Sequence, residues 1–534
     1  MEKIKNNCSA GFIEIFDTTL RDGAQGEGIS FSVQDKISVV QALDQLGIKW
    51  IEAGNPGSNP KDIEFFRLVK TLHLQNSKIC AFGSTRKKGI KAENDDQLKS
   101  LVDAGTETVV IFGKSSEMHV KEVLKASPEE NIAMISESIT LLKNNGKKVF
   151  FDCEHFFDGF KQNPDYALKT IIAAAQAGAD RIILCDTNGG SFPCHISECV
   201  TAAINKLQNN CCDTLLGIHS HNDSGLAIAC SIAAIESGCR QVQGTLLGFG
   251  ERCGNTNLAA LIPSIELKMG KTCLPSGHLK HLSEISRRVA EIANCTVSPD
   301  TPYIGQHAFA HKAGMHADAI IKIKQSFEHV DPSLVGNGRH FLMSEQGGRS
   351  AIAERVKKFY PDVTKEDPQI AALSRKLKAL ESYGWAFDSA DASFEILVRK
   401  EFQNYKRFFE IIAYRVQSEH PTGKSIECCH AWVKILANGQ TEIAAAEGDG
   451  PVNALDEALR RALLRFYPQL KNMHLSDYKV RVIDGKDATA ARVRVLIEST
   501  EGSSLWRTVA VSADILEASC LALVDSIDYK LLHS

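Results

Sequence analysis

Three short motifs concentrate side chains able to do chemistry. The first, Phe16-Asp17-Thr18-Thr19-Leu20-Arg21-Asp22-Gly23, places Asp17, Arg21 and Asp22 directly behind an apolar run. Such a cluster is costly to bury unless its members are paired or bind something, and taken alone it reads as a local Arg–Asp ion pair. The second is His219-Ser220-His221-Asn222-Asp223. Residues i and i+2 of a strand point to the same side, so both imidazoles can face one ligand. Two His and one carboxylate from another strand end form a set that holds a divalent cation and leaves positions open for substrate. The third runs from Gly248 to Asn255, where glycines permit close backbone approach. Asn255 offers an amide oxygen to a metal or a cap to the next helix. Two further apolar runs end in carboxylates, at Asp152-Cys153-Glu154 and at Cys185-Asp186-Thr187. Convergence of polar groups at several strand ends is a stronger signal than any single motif.

Those motifs need a frame to bring them together. From Gly11 to Met269 a short β-branched or aromatic run alternates with an amphipathic segment. The eight runs are Phe12–Phe16, Ile48–Ala53, Lys78–Phe82, Thr108–Phe112, Lys148–Cys153, Arg181–Cys185, Leu215–His219 and Gln241–Leu247. Between them, apolar residues recur every three or four positions, as in Ser32–Leu46 with Ser32 as its N-cap. Three such segments begin at an Asn-Pro or Ser-Pro step, which suits proline in a first helical turn. Alternating strands and helices predict parallel pairing through right-handed crossovers. Eight units predict a closed (β/α)8 barrel over residues 1–275, with its site at the carboxyl ends of the strands; an open doubly wound sheet is the alternative. Residues 276–395 read as helical linker subdomains without a second sheet. Residues 396–534 carry three strands and a helix twice over, an internal duplication expected to form a small α+β domain.

Composition removes other classes. Lys and Arg number 61 against 65 Asp and Glu, a net charge of −4 that leaves no electrostatic footprint for nucleic acid or an anionic membrane. No Gly-x-x-x-x-Gly-Lys-Ser/Thr loop, Gly-x-Gly-x-x-Gly after the first strand, or Gly-x-Ser-x-Gly elbow occurs. The 16 Cys include no Cys-x-x-Cys and read as small buried hydrophobes of a reducing compartment. The polar N-terminus and the lack of a long apolar stretch lead us to expect a cytoplasmic protein.

The motifs Phe16–Gly23, His219–Asp223 and Gly248–Asn255 together resemble the isopropylmalate, homocitrate and citramalate synthase family of metal-dependent barrels. Ala446-Glu447-Gly448-Asp449-Gly450-Pro451-Val452 looks like the signature of that family's C-terminal amino-acid-sensing domain. Phe151–Gly159 and Ala392-Ser393-Phe394-Glu395 look most like its citramalate-forming branch. The resemblance implies that Asp22, His219 and His221 bind a divalent metal (Mn²⁺, Mg²⁺, Co²⁺ or Zn²⁺), with Asn255 as a weaker ligand. It implies Arg21 against the negative charge of the ketoacid oxygen, Thr187 on the ketoacid carboxylate, and Glu154 and His316 as proton-handling groups. The family often has Tyr where this chain has Phe327, which cannot donate a hydroxyl proton.

The implied reaction condenses acetyl-CoA with pyruvate and water to citramalate and CoA. Phe82 and Phe112, at two strand ends, are candidates to shorten the ketoacid pocket; equally they read as core aromatics. Gly448, Asp449, Gly450 and Pro451 form a turn before a helix start, a place that suits a carboxylate. The resemblance implies isoleucine there, or leucine as the alternative, in a homodimer; an ordinary turn serving dimerisation is the plainer reading. An isopropylmalate synthase, an acyl-CoA lyase and a degenerate amino-acid-binding barrel are the competing readings.

Overall fold

Each of the eight apolar runs forms a strand, and the eighth pairs with the first to close a barrel. The computed structural model describes residues 11–311, 319–320, 322–341, 349–387, 390–402, 405–419, 428–483, 491–502 and 504–534. The strands are β1 (Glu14–Asp17), β2 (Trp50–Glu52), β3 (Lys78–Ser84), β4 (Thr108–Lys114), β5 (Lys148–Glu154), β6 (Arg181–Asp186), β7 (Leu215–Ser220) and β8 (Gln241–Gly244). Every neighbouring pair is parallel. Helices fill the crossovers as their spacing predicts: Val33–Leu46 starts behind Ser32, whose side chain caps it, and Pro128–Asn144 starts at a Ser-Pro step with proline in its first turn.

Two short helices, Glu117–Glu122 and Phe156–Gln162, were not expected. Neither is long enough to show a helical period in the sequence.

The eighth run is shorter than its apolar pattern suggests. Leu246–Gly248 is a 3₁₀ turn, and Leu247 sits in the left-handed region at φ 69°. The chain leaves the sheet after Gly244 because the Asp17 carboxylate and the Thr19 hydroxyl take the Leu246 N–H in place of a strand partner. Other strands run past the last apolar residue. β5 continues through Glu154, β6 through Asp186 and β7 through Ser220, so polar side chains at the mouth inherit the strands' alternation.

That alternation sorts the barrel interior into layers. Ile15, Ile51, Ala81, Val109, Val149 and Ile218 point outward into the shell shared with the helices. Phe16, Trp50, Cys80, Val110 and Phe150 point inward and form a separate core, with Trp50 edge-on to Phe150 at 5.1 Å. Below this layer, buried Glu14 accepts from Arg181 at 3.1 Å, Lys49 at 2.6 Å and Gln241 at 3.2 Å. Burial opposes the charge of Glu14, but Arg181 and Lys49 outweigh it and lower its pKa.

The chain forms two compact units, one reaching Phe309 and including His329–Arg339, the other comprising Ala310–Glu328 and His340–Ser534. The second unit corrects one expectation. The linker region contains a small parallel pair of strands, β9 (Ala310–His311) and β10 (His340–Phe341), where only helices and irregular chain were expected. Two residues per strand leave no readable period in the sequence.

The duplicated half of that unit follows the predicted order. Antiparallel β11 (Phe409–Glu419), β12 (Cys428–Ala437) and β13 (Gln440–Gly448) precede the helix Pro451–Leu464. β14 (His474–Val482), β15 (Val493–Glu501) and β16 (Ser504–Ser512) precede the helix Ile515–Leu532. Val433, Ile435, Leu459, Val495, Leu523 and Ile527 close one core between the repeats. Fourteen of the described cysteines are free, and nine of these are buried, as expected for small core hydrophobes.

Removing the Glu14 carboxylate should leave Arg181 without its counter-ion at the closed end of the barrel. Glu14→Gln is expected to lower unfolding stability by roughly 2–4 kcal/mol, less than a fully buried pair because Lys49 is half exposed. Because the carboxyl pKa is lowered by folding, the loss should be full above the ordinary carboxylate range and shrink as pH falls through the lowered value. Urea melts at neutral and acid pH check both.

Candidate active site

The barrel mouth holds a cavity of about 240 Å³ lined by Arg21, Asp22, Phe82, Asp152, His219 and His221, among others. The end of β7 supplies both imidazoles and the loop after β1 supplies the carboxylate. His219 Nε2 lies 3.3 Å from Asp22 Oδ2 and 3.4 Å from His221 Nε2, and His221 Nε2 is 3.9 Å from the same carboxylate oxygen. Among the described residues this trio is a group of buried donors within 4.8 Å of one another. Asn255 is brought beside them by an antiparallel bridge to His221. Its Nδ2 donates to Phe249 O at 3.0 Å, while its Oδ1 is buried without a partner. The following helix is capped by Asn257, so Asn255 is not its cap. Gly250 makes room for this arrangement: at φ 148° a Cβ there would stand 2.2 Å from Asn255 Nδ2.

Two neutral-capable imidazoles, one carboxylate and one unsatisfied amide oxygen fit a divalent cation. The electrostatics agree. Burial penalises the Asp22 carboxylate, yet Arg21 and the two imidazoles outweigh it and hold its carboxyl well below the usual range. Burial also works against charge on His219, but Asp22 and Asp152 push its pKa above the ordinary imidazole value. His221 is pushed down to about 4 by burial and by His219. A cation taken up here competes with protonation of His219.

Arg21 is clamped beside this trio. Its Nε donates to Glu52 Oε2 at 2.6 Å and its Nη1 lies 3.3 Å from Asp22 Oδ2. The guanidinium rests 3.8 Å from the centre of the Phe82 ring, and Phe82 stacks on Phe112 at 5.5 Å and 15°. The two phenylalanines therefore line the cavity and form a platform under Arg21 at once. Burial opposes the charge of Arg21, but Glu52, Asp22 and Asp152 hold its pKa above the usual value. Glu154 is ion-paired with Lys114 at the rim. The Thr187 hydroxyl accepts the His155 N–H at 2.8 Å, which leaves its own proton free to donate into the cavity. Arg252 joins the rim loops, bonding Asp223 at 2.7 and 3.0 Å and Thr187 O at 2.8 Å.

Several residues of the site were not singled out from the sequence. Glu52 is fully buried and also accepts the Thr18 hydroxyl at 2.6 Å. A carboxylate closing the apolar run Trp50-Ile51 was the available signal. Gln243, Lys114 and Arg252 carried none beyond their place near strand ends. His316 lies outside the described residues. Phe327 belongs to the second unit and is half exposed there. In the same unit Gly448 ends β13, Gly450 is the N-cap and Pro451 the first residue of the helix, as the sequence suggests. The Asp449 N–H donates to Asn453 Oδ1 at 3.1 Å, closing the turn on itself.

The comparisons agree with this architecture. The HMGL-like family matches residues 12–289, a homocitrate synthase post-HMGL domain-like family residues 303–384, and a LeuA allosteric (dimerisation) domain residues 388–531. An (R)-citramalate synthase of Aquifex aeolicus is 46% identical over 97% of this chain and 98% of its own. One of Synechocystis is 45% identical over 97% and 96%. A probable 2-isopropylmalate synthase of Methanopyrus kandleri is 30% identical over 97% and 98%. On the matched domains and on full-length identity far above that to the isopropylmalate relative, the chain belongs to the (R)-citramalate synthase family within the HMGL-like barrels.

Proposed function

We propose that this protein condenses acetyl-CoA with pyruvate and water to (R)-citramalate and CoA, a step that supplies carbon to branched-chain amino-acid synthesis. The observation that carries the reading is the meeting of Asp22, His219 and His221 beside Arg21 at the mouth of a barrel belonging to this family. Asp22, His219, His221 and, more weakly, Asn255 would hold the divalent cation. Bound there, a cation supplies Lewis-acid polarisation of the ketoacid carbonyl.

The remaining roles fall to side chains. Arg21 is held rigidly by Glu52 and Asp22, so its charge is preorganised against the oxygen that gains negative charge as the new carbon–carbon bond forms. Thr187 donates to the ketoacid carboxylate. A methyl proton of acetyl-CoA leaves to His316, with Glu154 adjusting the local charge; the resulting carbon nucleophile adds to the keto carbon of pyruvate, the carbonyl π bond opens and its oxygen takes up the proton that His316 gives back, and water then cleaves the thioester to a carboxylate and CoA. The Phe82–Phe112 stack limits the pocket beside the ketoacid methyl, though a single extra methylene shifts binding by only ~1–3 kcal/mol.

Residues 1–275 would carry the reaction, 276–395 would supply His316, and 396–534 would sense the pathway's product. The turn Gly448–Pro451 suits the carboxylate of isoleucine, with leucine as the alternative, in a cytoplasmic homodimer. A domain of the LeuA allosteric (dimerisation) type over residues 388–531 supports both regulation and pairing.

Pyruvate-dependent release of CoA thiol from acetyl-CoA is expected with the purified chain, slower with 2-oxobutyrate and slowest with 2-oxoisovalerate; preference for 2-oxoisovalerate would make it an isopropylmalate synthase. Asp22→Ala and His219→Ala should each cut turnover about 100-fold or more, since loss of a residue that only supports a metal ligand already costs roughly 10–100-fold, with circular dichroism unchanged. Normal turnover in either variant after exhaustive chelation removes the cation from the mechanism. Millimolar isoleucine should slow the full-length enzyme, and indifference to both isoleucine and leucine would end the regulatory assignment.

A further inference from the structure

His219 has two ring nitrogens, and only Nε2 faces the cation site, toward Asp22 and His221. Its Nδ1 lies 2.9 Å from Gln243 Oε1 on the adjoining strand β8, directly paired with it in register. The Gln243 amide nitrogen in turn donates to Asp152 Oδ1 at 3.0 Å. Asp152 is on β5, which does not border β8, so this chain of bonds crosses the barrel lumen. Gln243 is fully buried, and Asp152 and His219 are nearly so, leaving water little access to replace a lost partner.

The polarity of the chain follows from donor and acceptor rules. An ionised carboxylate only accepts, so Asp152 draws the NH₂ end of the Gln243 amide and turns its oxygen toward His219. An amide oxygen also only accepts, so the proton of the neutral imidazole must sit on Nδ1. Nε2 is then left with its lone pair aimed at the space shared with Asp22 and His221. A flipped amide would place NH₂ against Nδ1, move the ring proton to Nε2 and remove the donor.

We infer that Gln243, oriented by Asp152, is the positioning residue that fixes the tautomer and aim of His219 for the cation. The inference rests on the cation site proposed above. Its neutral amide also accounts for a glutamine on a strand whose other lumen-facing neighbour, Gln241, binds the closed-end cluster through Glu14.

The test is Mn²⁺ binding to the full-length, chelator-stripped protein, read by electron paramagnetic resonance at pH 8. That pH lies above the value of about 7 to which burial raises Asp152. Gln243→Met keeps the length and bulk of the side chain but removes both polar ends, and should weaken Mn²⁺ binding about 10–100-fold. The double substitution Gln243→Glu with Asp152→Asn keeps the net charge and keeps an acceptor at position 243 for Nδ1–H, while the bond between 243 and 152 reverses: the amide now at 152 donates to the carboxylate now at 243. It should recover binding to within a few-fold of the unsubstituted protein. Unchanged affinity in Gln243→Met overturns the inference and leaves the cation site standing. A folded double variant that binds no better than Gln243→Met overturns it too, and serves as the deciding measurement should Gln243→Met not fold. Failure of the unsubstituted protein to bind Mn²⁺ overturns the cation site and this inference together.

Discussion

Parallel strands closed into a ring force every second side chain into a confined lumen, and the rest of this catalytic unit follows from that constraint. The inward positions of β1, β2, β5 and β8 cannot be apolar throughout, because the two ends of the lumen face different surroundings. At the closed end the Glu14 carboxylate accepts from both Arg181 and Gln241. The aromatic layer of Phe16, Trp50 and Phe150 plugs the middle and keeps water from passing. Two residues further along β2 and β5 stand Glu52 and Asp152, and the neighbouring strands β7 and β8 add His219 and Gln243. The aromatic layer is therefore the floor of the site as well as part of the core.

Such a concentration of charge above an apolar floor is tolerable only when each group is matched. Arg21 is shared between Glu52 and Asp22, and Asp22 is shared between Arg21 and the imidazoles. Asn255 Oδ1, brought beside His221, is buried without a partner, as suits an atom that meets a ligand. Strain gathers at the same rim, where His155, Leu247 and Arg252 adopt left-handed backbone despite bearing side chains. Positions of that kind persist where surrounding contacts over-determine them, as at a preorganised site.

The second unit obeys a different logic. Its repeated strands bury one face against a helix and alternate cleanly, with Val433 and Ile435 inward on β12 and Trp432 partly exposed between them. Doubling the motif gives two sheets that share one core, a larger buried volume than either repeat could supply.

Short β-branched or aromatic runs and three-to-four spacing in the amino-acid order alone marked out the eight strand–helix units and the duplicated C-terminal motif, because each is a local pattern of burial. His219 and His221 were legible for the same reason, as neighbours two apart on one strand. The ends of strands were not: β8 stops at Gly244 because Asp17 and Thr19, over two hundred residues away in the chain, claim the next amide. Nor could local pattern assign Glu52 to Arg21, or Gln243 to His219 and Asp152. Those pairings exist only once the ring closes and sets strands distant in the chain within hydrogen-bond reach of one another, and closure is a property of the tertiary structure.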